Sequence, residues 1–400
     1  MKRLTRRAFL GLAGAALLGG CDAGRAAQVL PKPVKETVFD RAAPDDPVPA
    51  NDEVTLCMVG DILVHQYVWK SGEQPDGSRN YDGLFEHVRD YVGSFDVAML
   101  DQETILGGTS FEFSSFPQFN SPQEIADAEV AAGFDVMCHA SNHSMDMDLA
   151  GIEADLAYWR GHFPDVVVTG IADSAESSQV IPMIEARGHK IAVLNYTSTT
   201  NGIPLPADAP WCVKMLDTAD IAGDFSRARE LGAEAIVACP HCGTEYADAP
   251  DGVQTTWARR FVELGADVVF CNHPHVIQPV EWQEGLGGKQ VPIFWSLGNF
   301  VSAMSRSDAM VGGLGHVTLS FVGGECEVAA AGLIPLVTHK RYGAGLTTYL
   351  LRDYTDELAA QNVVRDAAGY EDFSRQWCVD FCSARLGNGF DAESCEFTLA

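Results

Sequence analysis

The feature that most constrains the fold of this chain is a series of short apolar runs, each ending in a side chain that can bind a metal ion. Each run is rich in β-branched or aromatic residues and follows a polar or glycine-containing break, so each is predicted to be a buried strand leading into a loop. Because parallel strands present functional groups at their carboxyl ends, the polar side chains are predicted to meet at one edge. The runs are VTLCMVGD (54–61), FDVAMLDQE (95–103), FDVMCHASNH (134–143), AIVACPH (235–241) and DVVFCNHPH (267–275).

The side chains at these ends are carboxylates, an amide and imidazoles, which are short, oriented ligands for a divalent ion. The predicted cofactor is therefore one or two ions of Mn, Zn or Fe. His273 and His275 are two residues apart, and an extended segment would direct both imidazoles to the same side. The predicted metal ligands are Asp61, Glu103, Asn142, His241, His273 and His275.

The segment SNHSMD (141–146) adds a candidate for proton transfer. His143 follows Asn142 directly and is predicted to act as a general acid or a positively charged stabiliser. Asp146 either orients His143 or caps the helix predicted from about Leu149, and capping is the preferred assignment. His143 is therefore the predicted catalytic residue.

Two further polar residues are predicted to support the ligands or to contact a substrate. Glu245, in CPHCGTEY, is assigned to one of these roles beside His241. The C-x-x-C spacing of Cys239 and Cys242 leaves a zinc or redox role open, although the sequence has no second such pair. Asn299, in SLGNF, is placed at the same rim, with an ordinary strand-to-turn segment as the alternative.

The net charge narrows the range of partners. The 400 residues carry a formal charge of −28 at pH 7, which would repel a phosphate backbone, so nucleic acid is not an expected partner. The same charge would repel an anionic polymer except where a bound metal reverses the local field. The alternative is that the acidic surface serves solubility alone.

The chain has 11 cysteines, which fall into groups with different expected roles. An even number of cysteines beyond Cys21 permits disulfides, and the favoured pairing set is Cys378 and Cys382, which lie on one helical face, with Cys395 nearby. The cysteines inside predicted strands are expected to pack as small apolar side chains; they are Cys57, Cys138, Cys239 and Cys271.

The N-terminal residues have the form of an export signal. Four basic residues precede an apolar stretch of eleven residues, 8–18, which is too short to span a bilayer. The pair Arg6-Arg7 resembles a twin-arginine signal, and LGGC resembles a lipobox that would have Cys21 acylated. The predicted location is extracytoplasmic, with a lipid anchor in the cytoplasmic membrane; an uncleaved amphipathic anchor is the alternative.

The rest of the chain divides by composition and periodicity. Strands alternate with helical stretches at 123–132, 149–161, 221–231 and 253–264, which predicts an α/β layer structure with parallel strands. An antiparallel pair is predicted across Gly323-Gly324. The predicted divisions are a signal (1–21), a Pro-rich tether (22–51), a metal-binding domain (52–340) and a helical C-terminal extension (341–400).

Six segments together resemble the bacterial capsule-synthesis CapA family, which is associated with poly-γ-glutamate and belongs to the calcineurin-like metallophosphoesterase superfamily. They occur in the family's order over about 54–337 and read GDIL, LDQE, SNHSMD, PHCGTEY, NHPHVIQPVE and WSLGNF. The resemblance implies a two-sheet α/β/β/α sandwich with a divalent-metal site. Carried over by position, it implies His143 as the catalytic imidazole and the six residues named above as metal-site residues.

The sequence departs from the family pattern at three places. Leu63 stands where the superfamily has a histidine, Asp101 replaces an asparagine, and Cys271-Asn272 replaces paired histidines. The remaining donors are predicted to hold at least one ion. The resemblance implies metal-assisted hydrolysis or transfer at an amide or phosphoester bond of an anionic cell-surface polymer. The alternative is a non-catalytic accessory protein that binds or guides such a polymer.

The lipobox-like sequence predicts that Cys21 carries lipid. Fractionation and intact-mass measurement should find the wild-type protein acylated and membrane-bound, since two or more acyl chains are needed for stable anchoring. The Cys21→Ala variant should be unmodified and soluble. A wild-type protein that begins at another residue and lacks lipid would instead identify an ordinary cleaved signal.

Overall fold

The computed structural model describes residues 36–40, 52–343 and 345–400, so the predicted signal and most of the predicted tether lie outside the described residues. The strands are β1 (Glu36–Asp40), β2 (Glu53–Ile62), β3 (Val97–Asp101), β4 (Val136–Cys138), β5 (Val167–Thr169), β6 (Ile181–Ala186), β7 (His189–Thr197), β8 (Ala235–His241), β9 (Val268–Phe270), β10 (Val280–Glu284), β11 (Gln290–Phe294), β12 (Asn299–Val301), β13 (Val311–Val322), β14 (Glu325–Arg341), β15 (Gly345–Leu350), β16 (Phe390–Asp391) and β17 (Glu396–Thr398). The α-helices are α1 (Gln66–Ser71), α2 (Arg89–Val92), α3 (Glu124–Ala131), α4 (Asp148–His162), α5 (Ile221–Glu230), α6 (Gly252–Leu264), α7 (Asp356–Ala359) and α8 (Arg375–Leu386).

The strands form two sheets. The first has seven strands in the order β1-β6-β7-β8-β9-β11-β10. The second has ten, with β16-β17-β14-β13-β2-β3-β4-β5 as its path, β12 beside β2 and β15 beside β14. The centre of each sheet is parallel, through β7-β8-β9-β11 and through β2-β3-β4-β5. The exits of these strands therefore lie at a common edge within each sheet.

Successive side chains of the central strands point to opposite faces of the sheet, one toward the core between the sheets and the next toward the outer helices. Met99 packs in the core between the sheets with Val193 and Phe270, whereas its neighbour Leu100 faces outward against Ile125 of α3. The outer face of the first sheet packs against α5 and α6. Both faces of these strands are buried, which explains their nearly continuous apolar sequences. The predicted two-sheet α/β/β/α sandwich is confirmed.

The helix α6 illustrates how local sequence sets an element's ends. Asp251 and Gln254 form a reciprocal capping box at its start, and Gly265 in the left-handed region ends it. At α4 the predicted cap is wrong. Met147 occupies the N-cap position without a side-chain cap, and Asp146 bonds elsewhere.

The predicted hairpin is present as β13 and β14, which pair antiparallel. Beyond it, the segment after 340 contains α7 and α8 but begins with β15, which was not predicted. Its sequence GLTTYL is rich in β-branched and aromatic residues, and it pairs with the end of β14. The later strand β17 pairs with β14 as well, so this segment extends the second sheet. Within the predicted tether, β1 pairs parallel with β6.

The favoured disulfide pairing is not formed. Cys378, Cys382 and Cys395 are buried free thiols, as are the other cysteines of the described residues. Cys378 and Cys382 pack with Tyr354 and other apolar side chains beneath α8, where a thiol behaves as a small apolar group. Among the described residues, none of the helices has the length and apolar character needed to span a bilayer.

Gly60 allows two backbone segments to approach closely beside Asp61. The strand β2 continues through it to Ile62. A Cβ at Gly60 would lie 1.8 Å from the carbonyl oxygen of Gly298, and that carbonyl accepts a 2.9 Å hydrogen bond from the Asp61 amide. Glycine is therefore required for close approach of two backbone segments, which places Asn299 beside Asp61 in register.

Gly60→Ala should destabilise the fold by about 1–3 kcal/mol or more, because the new Cβ would clash with the carbonyl oxygen and carbon of Gly298, which are buried backbone atoms. Gly161→Ala is the matched control: Gly161 is exposed in α4 and a Cβ there has no neighbour within 4 Å. That variant should gain about 0.5–1 kcal/mol. Denaturant unfolding of both would measure this, and equal stability would contradict the assigned role of Gly60.

Candidate metal centre

The predicted ligands are brought together at the strand exits of both sheets. Asp61 lies near the end of β2 and pairs in register with Asp101 at the end of β3. His241 ends β8 and bridges to Asn272 in the loop after β9. The six predicted ligands are all buried: Asp61, Glu103, Asn142, His241, His273 and His275.

One group of donors surrounds His275. Its Nδ1 lies 2.9 Å from Asp61 Oδ2 and 3.0 Å from Asn299 Oδ1, and its Nε2 lies 3.7 Å from Glu103 Oε1. Asp61, Glu103 and His275 each offer a ligand atom within 4.8 Å of the others. Ligands at about 2.1 Å from one ion are separated by about 3 Å or slightly more, so a divalent ion here would bind one of the two His275 nitrogens together with the nearby carboxylates.

A second group surrounds His241. Its Nε2 lies 2.7 Å from Asn142 Oδ1, 3.3 Å from His273 Nδ1 and 4.0 Å from Glu103 Oε1. Glu103, His241 and His273 likewise each offer a ligand atom within 4.8 Å of the others. Glu103 belongs to both groups, and a third set of donors among the described residues, Asp61, Asp101 and His241, overlaps with them.

The Glu103 carboxylate gives the clearest indication that a cation fits here. Both of its oxygens are buried, and neither has a hydrogen-bond partner among the described residues. Burial and the nearby Asp61 charge outweigh the surrounding imidazoles and raise the pKa of Glu103 to about 7. A buried carboxylate without hydrogen-bond partners is costly, and a bound ion would compensate for it.

The three candidate histidine ligands differ in pKa, and therefore in whether they must lose a proton to bind an ion. Burial disfavours the charged form of His275 and His241, but neighbouring carboxylates outweigh it and raise the pKa of His275 to about 10 and that of His241 to about 9. A metal would therefore displace protons from these rings. Burial and the adjacent imidazoles lower the pKa of His273 well below its ordinary value, so this ring is already a neutral ligand.

The backbone at the two neighbouring histidines differs from the predicted extended segment. His273 has a φ of 102° and His275 a φ of 62°, both in the left-handed region that only a few non-glycine residues adopt. The rings still converge, with centroids 6.0 Å apart. Strain of this kind costs on the order of 1–3 kcal/mol per residue and is characteristic of functional sites.

Asp101 supports one of the predicted ligands, a role that was not predicted. His241 Nδ1 lies 3.2 Å from Asp101 Oδ2, and Asn272 donates to the same oxygen at 3.1 Å. Asp101 thereby fixes the His241 ring with Nε2 directed at the site, which is how carboxylates commonly support metal-bound histidines. Two of the departures from the family pattern, Asp101 and Asn272, thus contact each other. Glu245, predicted as a partner of His241 or as a substrate contact, is exposed and makes no hydrogen bond to His241 among the described residues, and the substrate contact stays a prediction.

His143 is held at the edge of the centre. Its Nδ1 lies 2.6 Å from Asp146 Oδ2, which also accepts a 2.7 Å hydrogen bond from the Phe119 amide. The Phe119 ring packs edge-on against the imidazole at 4.7 Å. The opposite ring nitrogen, Nε2, lies 3.9 Å from Glu103 Oε1 and so faces the centre. Asp146 orients the ring.

The position of Leu63 is filled by a buried apolar side chain. The nearby His65 does not join any of the donor groups found among the described residues. Burial lowers the pKa of His65 to about 4, and its Nδ1 lies close to the Leu63 carbonyl and the Ala303 amide. His65 is therefore a neutral structural histidine beside the site.

The two-sheet α/β sandwich and its buried cluster of carboxylates and imidazoles define a protein with a candidate divalent-metal site. Residues 55–304 match the family model described as the bacterial capsule synthesis protein PGA_cap, and the chain belongs to this family.

Two curated relatives share less than a third of their aligned residues with this chain. The chain is 29% identical over 269 residues to the PGA biosynthesis protein CapA of Bacillus subtilis (strain 168), covering 63% of this chain and 64% of the relative. It is 25% identical over 260 residues to the capsule biosynthesis protein CapA of Bacillus anthracis, covering 63% and 60%. The matches thus span less than two thirds of the relatives' own length.

Solved structures show a weaker likeness. Haemophilus influenzae NAD nucleotidase (NadN) matches with a TM-score of 0.45 and 13% identity, over 86% of this chain and 65% of that one. The calcineurin-like phosphoesterase YfkN of Bacillus subtilis matches with a TM-score of 0.38 and 12% identity, over 71% and 90%.

Glu103→Gln should separate the role of the shared carboxylate in metal binding from its cost to the fold. Metal content measured by mass spectrometry should fall strongly, because the two donor groups that contain Glu103 each lose a ligand. After chelator treatment, the variant should unfold at a higher temperature than wild type at pH 8, where the buried carboxyl is ionised. The gain should shrink as the pH falls below about 7, the pKa of this carboxyl in the folded protein, and vanish only near its ordinary value of 4.5.

Glu393→Gln, at an exposed position, serves as the matched control and should change neither quantity. Normal metal content in Glu103→Gln would contradict the assignment of a shared ligand.

Proposed function

We propose that this protein is an exported metal-dependent hydrolase or transferase that acts on an anionic cell-surface polymer of the poly-γ-glutamate type. The observation that carries the proposal is the buried Glu103 carboxylate, which has no hydrogen-bond partner among the described residues, belongs to two donor groups and faces the His143 imidazole. Membership of the capsule synthesis family supports a role in polymer biosynthesis.

The donors would hold the metal as two adjacent groups, Asp61–Glu103–His275 and Glu103–His241–His273, with Asn142 and Asn299 beside them. A divalent ion supplies Lewis-acid polarisation of a carbonyl or phosphoryl oxygen and lowers the pKa of bound water toward about 7. Within a chain of net charge −28, this site would also attract an anionic polymer locally.

His143 would serve as the general acid. Because Nδ1–H donates to Asp146, the atom that gives up a proton is Nε2, which faces the metal centre. In amide hydrolysis the water oxygen would bond to the carbonyl carbon, the C–N bond would break, and the leaving nitrogen would take the Nε2 proton. A proton of the attacking water would pass to solvent, and His143 would be reprotonated from solvent. Phe119 and Asp146 restrict the ring to this orientation.

Acylation at Cys21 would place the reaction at the outer face of the cytoplasmic membrane. The residues between Cys21 and β2 would then link the lipid to the catalytic domain, and this supports access to a polymer as it emerges from the membrane.

One observation favours a non-catalytic accessory protein as the second candidate. Leu63 provides no donor at a position where the superfamily has a histidine, so a bound ion would have fewer protein ligands. In this case the metal would bind the polymer during export or anchoring without cleaving it.

His143→Ala should retain its metal but lose about 10²–10⁴-fold in rate, the usual contribution of a general acid. The assay is cleavage of a panel of γ-glutamyl amides and phosphoesters by the metal-loaded protein, with metal content measured in parallel. His87→Ala is the matched control, since His87 stacks on Tyr349 away from the donor groups.

Loss of metal together with rate would make His143 a ligand rather than an acid. A metal-loaded wild-type protein that binds a γ-glutamyl polymer but cleaves no member of the panel would support the accessory role.

A further inference from the structure

A tight turn after β7 reaches the mouth of the metal centre. Ile203 N donates a 2.9 Å hydrogen bond to the Thr200 carbonyl, and the two residues between them, Asn201 and Gly202, have φ values of 54° and 79°. This is the geometry of a type I′ turn, for which Asn-Gly is the favoured sequence. The turn is therefore well defined without support from a ligand.

The loop is tied to the metal-centre strand. The Thr197 hydroxyl and the Ser198 amide each donate to the carbonyl of His241 at 3.2 Å. The backbone N–H of Asn201 in turn donates to Thr199 Oγ1 at 3.1 Å. The position of the turn is thus coupled directly to a candidate ligand.

The Asn201 side chain is exposed and lies beside two buried residues of the centre, Asn142 and His143. Its Oδ1 lies 3.4 Å from Asn142 Nδ2. Its Nδ2 lies 3.5 Å from both ring nitrogens of His143, so it is aligned with neither. These distances are at the outer limit of hydrogen bonding. Since Oδ1 faces the side-chain N–H groups of Asn142, the N–H groups of Asn201 lie beside the His143 ring at the edge of the centre.

We propose that Asn201 is a substrate-binding residue whose Nδ2–H groups donate to an acceptor oxygen of the substrate. The acceptor would be a carboxylate or phosphoryl oxygen next to the scissile bond, held between His143 and the metal. A neutral amide donor fixed by a turn can bind an anion without adding mobility or requiring a charged partner. This inference rests on the proposed function and identifies how the same site would hold an anionic substrate.

Two substitutions at Asn201 test it without disturbing the turn. Asn201→Gly removes the amide while retaining the left-handed backbone, and Asn201→Asp keeps the shape but replaces the donor with an acceptor that carries negative charge. The probes are inorganic phosphate and a γ-linked glutamyl oligomer, titrated calorimetrically into manganese-loaded protein. Asn201→Gly should weaken binding about 3- to 10-fold. Asn201→Asp should weaken it at least about 10-fold, and less so at high salt.

Metal content and unfolding temperature should equal those of wild type in both variants. Asn388→Gly, in an exposed turn of the C-terminal segment, is the matched control and should bind the probes as wild type does. Unchanged affinity in Asn201→Gly, with wild type binding a probe, would overturn this inference alone. Failure of metal-loaded wild type to bind either probe would overturn the inference together with the proposed function.

Discussion

The interaction on which this structure depends is the electrostatic balance around the buried Glu103 carboxylate. Neither of its oxygens has a hydrogen-bond partner among the described residues, and compensation comes from the field of the neighbouring imidazoles. Protons on His241 and His275 provide that balance without an ion, and a divalent cation would replace them. The centre is therefore organised for positive charge in a chain that is otherwise strongly acidic.

The sandwich supplies the rigidity that this balance requires. The carboxylates come from the second sheet and His241 from the first, so the core between the sheets sets the distances between their donors. The contact of Gly60 with Gly298 brings Asn299 beside Asp61. The left-handed backbone at His273 and His275 persists because the surrounding structure determines it.

Two of the three departures from the family pattern are explained by hydrogen bonds in the structure. Asp101 and Asn272 share a hydrogen bond, and Asp101 fixes the His241 ring, so both substitutions support one ligand. Leu63 has no such compensation in the described residues and simply fills its space with apolar atoms. The orienting role of Asp146 also depends on a distant residue, because the Phe119 amide shares its carboxylate.

The sequence by itself determined the alternation of buried strands and helices and the type of each donor at the strand exits, because periodicity and residue chemistry are local properties. It also indicated His143 as distinct from the ligands. Only the tertiary structure decided that Glu103 serves two donor groups, that Asp101 supports His241 and that Asn201 reaches the centre. It likewise decided that β15 and β17 complete the second sheet. These relations join residues far apart in the chain, and such contacts are fixed by sheet pairing and packing rather than by local sequence.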